Sequence, residues 1–162
     1  MESREATEGT TRTIALLERH RSRIVDDAEA ALGRTHSRHY ESAGPEAVRE
    51  RLGSLYDHVL RALGRRDLGP LLRYAEQIAE ERFNGGYDLA EVQTAFNALE
   101  EAIWSCVFAE LEPAQLAESL GLVSTLLGAA KDALARRYVS LATNARAPSL
   151  DLQALFAGTE GA

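Results

Sequence analysis

Between Pro113 and Pro148, the residues Leu116, Leu120, Val123, Leu127, Ala130, Leu134 and Leu141 recur at intervals of three, four and seven. That spacing gathers them on one side of an α-helix, whereas a strand, whose side chains alternate every two residues, would scatter them over both faces. The stretch therefore predicts one helix of about 30 residues, roughly 45 Å long, running to about Thr143. Tyr138 lies beside the apolar seam. Gly121 and Gly128 stand one heptad apart within it. Because each lowers helix propensity, they predict the close approach of a neighbouring helix.

Upstream the same period returns in four shorter blocks. Ile14, Leu17, Ile24, Ala28 and Leu32 predict a helix over 11–32 that stops at Gly33. Pro45 suits a first helical turn, and Val48, Leu52, Leu55, Val59 and Leu63 form the stripe behind it, ending at Gly64. Asp67 is placed to cap a third helix carrying Leu68, Leu72, Ala75, Ile78, Ala79 and Phe83, which Asn84-Gly85-Gly86 ends. Asp88 with Glu91 reads as a capping box ahead of Leu89, Val92, Phe96, Leu99, Ile103 and Val107. Beyond Ala147-Pro148, Ser149 is placed to cap a short segment whose apolar residues are Leu150, Leu152, Leu155 and Phe156, a docked or partner-binding helix.

No segment alternates apolar and polar residues with β-branched enrichment, so no strand is expected. The predicted fold is all-α, with five main helices in a globin-like or bundle array plus a short C-terminal helix. The predicted organisation is a disordered tail over 1–10, a helical domain over 11–143, and a linker with a short helix over 144–162.

The net charge of -7 disfavours general affinity for nucleic acid or for an anionic membrane surface. Acids concentrate in the middle of the chain: residues 67–118 hold 11 of them against only Arg73 and Arg82. No apolar run reaches 18 residues and no signal-peptide pattern opens the chain, which predicts a cytoplasmic location. The single cysteine, Cys106, lies in an apolar run and reads as a small core residue.

Known catalytic patterns are missing. A di-iron bundle needs Glu-x-x-His pairs, and Leu17, Gly33, His36 and Leu55 occupy the positions three residues before the four histidines. His36 and His39 make an H-x-x-H pair without a third ligand at a telling spacing, so they read as exposed polar residues. No histidine follows His58, which argues against a conventional haem globin. Nucleophile-elbow, phosphate-loop, zincin and dinucleotide motifs are all absent from the sequence. No metal, cofactor or catalysis is expected. The best candidate ligand-binding constellation is Arg82, Phe96, Glu100 and Trp104, in which arginine would hold an anionic group and the aromatic rings would supply contact area.

The segment Glu81-Arg82-Phe83-Asn84-Gly85-Gly86-Tyr87-Asp88-Leu89-Ala90-Glu91-Val92 resembles the RsbRD-type N-terminal sensor domain. The resemblance continues through Leu99 and the Ile103-Trp104 pair, and Leu134, Arg137 and Tyr138 suit the family's closing helix, so it spans about 14–142. It implies a haem-free, globin-like domain that dimerises and serves as a regulatory input in bacterial stress signalling, without catalysis. In that family a C-terminal output module commonly follows an extended final helix; residues 144–162 are too few to form one.

The leading expectation is thus a homodimer with its interface on Leu116, Leu120, Val123, Leu127, Leu134, Tyr138 and Leu141. A small-molecule ligand at Arg82 and a regulatory protein partner docked through the Leu150 to Phe156 segment are the further expectations.

Overall fold

Glycine, proline and a few capping side chains divide the chain into helices close to the predicted boundaries, with two additional breaks that arise from packing. The computed structural model describes residues 2–146. Within them lie seven helices: α1 (Glu2–Arg19), α2 (Arg21–Gly33), α3 (Arg38–Ala43), α4 (Pro45–Arg65), α5 (Gly69–Asn84), α6 (Leu89–Glu110) and α7 (Pro113–Arg146). The described residues contain no strand, and the all-α class holds while the count of five does not. The predicted segment of Leu150, Leu152, Leu155 and Phe156 lies outside the described residues.

The expected first helix is two helices, α1 and α2, meeting at His20, where φ is -102° and ψ is 14°. The cause is a side chain from elsewhere. The buried Tyr56 hydroxyl of α4 donates to the Leu17 carbonyl at 2.7 Å, and a side chain inserted into the helical hydrogen-bond ladder is a recognised origin of a kink. The bend lets Leu16 and Leu17 on one side, and Ile24, Val25 and Ala28 on the other, enter the same core. Helix α1 also extends back to Glu2, across residues for which the sequence predicted a disordered tail. The other added helix, α3, has six residues, with Tyr40 the one buried among them. That is too short to show a period.

Two packed pairs organise the interior: α5 lies along α7, and α2 lies along α6. Helices α6 and α7 form an antiparallel hairpin, and α4 bridges α2 to α5. Tyr56, Phe96, Leu17, Leu71, Leu99, Leu127 and Leu134 are among the fully buried side chains at its centre. A contact between two polar side chains is buried with them. Thr13 Oγ1 and Ser119 Oγ lie 2.7 Å apart between α1 and α7, and Thr13 also donates to the Gly9 carbonyl at 2.9 Å. Cys106 is buried as expected, and burial pushes its thiol pKa up.

Four of the predicted seam residues of α7, Val123, Leu127, Ala130 and Leu134, are fully buried in this core. Leu116, Leu120 and Tyr138 are half-buried against it, and Leu141 is half-exposed further along the helix. The seam is real, but much of it serves the chain's own packing. Among the described residues, no atom from outside the local helix backbone lies within 4 Å of the position a Cβ would take at Gly121 or Gly128, so no described helix makes the predicted close approach.

Candidate functional site

The turn between α5 and α6 is built by local sequence. Asn84 closes α5, Gly86 takes φ 78°, a left-handed conformation that glycine adopts without strain, and Asp88 with Glu91 forms the predicted capping box. This geometry turns Tyr87 inward. Its ring stacks on His39 at 4.7 Å, meets Tyr40 edge-on at 5.2 Å, and lies under the Arg82 guanidinium at 5.5 Å. Arg51 Nη1 donates to the Tyr87 hydroxyl at 2.9 Å, which itself lies 3.4 Å from the His39 carbonyl. The Tyr138 hydroxyl of α7 donates to the Tyr87 carbonyl, and the Tyr138 ring packs edge-on against Phe83 at 5.3 Å. One turn residue thereby joins α3, α4, α5 and α7.

Glu91 has a second role beyond its cap. It accepts the Ser37 hydroxyl at 2.6 Å and pairs with His39 Nδ1 at 2.8 Å, tying the α3 segment to the start of α6. Burial alone would raise its pKa, yet the hydrogen bonds from Ser37, the Asp88 amide and His39 outweigh that and hold the carboxyl at about 2. A folded pKa depressed below the ordinary value of 4.5 contributes stability that is present above that value and lost as pH falls toward about 2. Unfolding measured across this window is expected to show the loss in the wild-type protein and a flatter profile in Glu91→Gln. An unchanged profile would mean that the tie contributes nothing.

The histidine pair does not converge. His36 faces Glu41 at 3.1 Å on the surface, whereas His39 is engaged with Glu91 and Tyr87. Among the described residues, no group of three His, Cys, Asp or Glu side chains is placed to hold a metal ion.

Of the four predicted ligand residues, the structure brings two together. Arg82 and Phe96 line one inner cavity of about 30 Å³, along with Tyr40, Arg51, Tyr74 and Val92. Glu100 is elsewhere, accepting Lys131 Nζ at 2.7 Å across the α6–α7 hairpin, and Trp104 is 40% exposed. The reason is geometric. Residues four apart on a helix drift about 40° per step, so Phe96, Glu100 and Trp104 span about 80° of the α6 surface. Phe96 faces the core while Trp104 emerges beside Phe108, also exposed.

Three lining residues escaped sequence reasoning. Tyr40 sits on the unpredicted α3. Tyr74 is held by stacking against His58 at 3.8 Å. Arg51 immediately precedes Leu52 of the α4 apolar stripe, and its position on that border was the available signal. Burial pushes the Tyr40 phenol up to about 12, against the opposing pull of Arg82 and Arg51, so it stays neutral at physiological pH. Burial likewise raises Tyr74. The cavity lining therefore presents two guanidinium charges, two neutral phenols and no carboxylate.

These features define an all-helical domain organised around a glycine turn that anchors one tyrosine. A family model described as the RsbT co-antagonist protein rsbRD N-terminal domain matches residues 10–148. The chain belongs to this family, a group of regulatory domains of stress signalling. No curated protein and no solved structure gives a significant match. No helix among the described residues is long and apolar enough to cross a membrane.

Proposed function

We propose that the chain is a non-catalytic, cytoplasmic input domain of bacterial stress signalling, a haem-free globin-like module that works as a homodimer. Family membership supports the regulatory role. The observation that carries the dimer is the outer face of α7. Ala117, Gly121, Thr125, Asp132, Arg136 and Val139 are exposed along it at three- and four-residue intervals, and half-buried Gly128 continues the line. Val139 is 56% exposed. Leu116, Leu120 and Leu141 are half-exposed on the same helix, while Val123, Leu127 and Leu134 support it from the core side.

Glycine inside a helix costs about 1 kcal/mol relative to alanine. Two such residues with no described neighbour within 4 Å of where a Cβ would stand fit a helix that accepts a second helix at short range. Sedimentation velocity at micromolar concentration is expected to show a dimer. Gly128→Ala is expected to strengthen folding of the isolated chain by about 1 kcal/mol while weakening association. A wild-type monomer would overturn the reading.

An adaptor role is the second reading, resting on the apolar residues Leu150, Leu152, Leu155 and Phe156. Deleting residues 147–162 would then abolish partner binding and leave the dimer intact.

A further inference from the structure

A groove of about 590 Å³ runs beside the outer face of α7, with Gly121, Leu122 and Leu126 on one wall and Leu63 and Leu68, from the α4–α5 turn, on the other. Its lining is mostly apolar. Gly121 keeps the wall of α7 low, since no described neighbour stands within 4 Å of where its Cβ would be. At the ~30 Å³ that water occupies per molecule in the liquid, the groove accepts roughly twenty heavy atoms. It is continuous with the face through which the chain is proposed above to dimerise, and an apolar opening of this kind calls for an apolar occupant.

The sequence beyond α7 supplies one. Leu152, Leu155 and Phe156 recur at i, i+3 and i+4, the anchor spacing of a helix laid in an apolar groove. With Leu150, their side chains contain about as many heavy atoms as the groove accepts. This segment cannot reach the groove of its own chain. Helix α7 runs unbroken from Pro113 to Arg146, so Arg146 lies about 30 Å along the axis from Leu126 and about 37 Å from Gly121. Leu152 is only six residues further on, a reach of about 20 Å when fully extended.

A second copy removes the shortfall. Val139 is the exposed large apolar residue of α7 among the described residues, and in a two-fold contact a central patch meets itself. The charges choose the direction. Asp132 and Arg136 are exposed on the same face; parallel helices would set each against its own copy, like charge on like, and antiparallel helices would not. Antiparallel helices crossing at Val139 bring the partner's Arg146 opposite Asp132, about 9 Å along the axis from Leu126 and about 16 Å from Gly121. The six residues to Leu152 span that distance. We propose that the segment Leu150 to Phe156 of each subunit lies in the groove of the other, so that the two subunits hold each other through exchanged ends of α7. The inference rests on the dimer reading and deepens it, and it gives the segment this role in place of an adaptor's.

Thiol cross-linking of the full chain with a short bismaleimide tests the exchange. Co-expressed Gly121→Cys and Phe156→Cys subunits are expected to form a covalent dimer. Neither variant alone is expected to do so, because each position lies far from its own copy in an antiparallel pair. In sedimentation velocity, Leu155→Asp combined with Phe156→Ser is expected to weaken association tenfold or more. No covalent dimer from the co-expressed pair, a covalent dimer from either variant alone, or unchanged association of the double variant would each overturn the proposal. So would a link within one subunit, seen at monomer mass, when Gly121→Cys and Phe156→Cys are placed in the same chain. The wild-type chain separates this failure from that of the dimer reading: a wild-type dimer without the cross-link removes the exchange alone, and a wild-type monomer removes both.

Discussion

Tyr87→Ala is expected to lower the stability of the domain by about 3–5 kcal/mol, within the range for removing a buried aromatic side chain. In a chain of this length that corresponds to a fall of about 10 °C in melting temperature. The expectation follows from how many elements meet at the ring. His39 and Tyr40 pack on it from the α3 segment, Arg51 reaches its hydroxyl from α4, and Arg82 covers it from α5. Truncation leaves a hole at a point where none of these elements can close on another. Tyr87→Phe keeps the ring contacts and loses only the hydroxyl contacts with Arg51 and the His39 carbonyl, so it is expected to cost about 1 kcal/mol. Thermal or urea unfolding of the two variants checks both values. Equal losses would mean that the hydroxyl, not the ring, organises the turn.

Leu134→Ala is expected to cost about 2–5 kcal/mol, the range for a fully buried leucine, and that cost is to be independent of protein concentration. Leu134 is completely buried within its own chain, where α7 lies along α5. Its removal therefore weakens each subunit and leaves the outer face of α7 untouched. Urea unfolding repeated over a hundredfold range of concentration distinguishes the cases. A loss that appears only at concentrations where the chain dimerises, and vanishes on dilution, would place Leu134 in a subunit interface, as the sequence seam alone suggested.

What was legible in the sequence was what short-range chemistry determines. Gly44-Pro45 did begin a helix, and Asp88 with Glu91 did form its capping box, because each needs only neighbours a few residues away. Asp67 accepts the Gly69 amide at 2.9 Å, close to its expected capping role. The kink at His20 was not legible. It arises from Tyr56, which meets Leu17 across 39 residues of sequence. Helix α3 was missed because a single inward side chain, Tyr40, has no period to read.

The seam of α7 shows the limit of periodicity in another way. Spacing correctly grouped Val123, Leu127 and Leu134 on one side, but it could not say whether that side meets the same chain or a second one. The candidate site divided similarly. Arg82 and Phe96 do line one cavity, since the turn that joins α5 to α6 folds them together. Glu100 and Trp104 were grouped by an i+4 rule applied over too many steps, and the accumulated rotation carried them away. Arg51 and Tyr74 come from α4 and α5, whose placement depends on packing of the whole domain.

The central claim is that this regulatory domain pairs through the outer face of α7. Its most direct test is thiol cross-linking with a short bismaleimide in two single-cysteine additions, Val139→Cys and Trp104→Cys. The native Cys106 is buried, with its thiol pKa raised by that burial, and does not compete. Val139→Cys, at an exposed position on the outer face of α7, is predicted to yield a covalent dimer at micromolar concentration, and Trp104→Cys, on the exposed side of α6, to remain monomeric on a denaturing gel. A covalent dimer from Trp104→Cys with none from Val139→Cys would contradict the account.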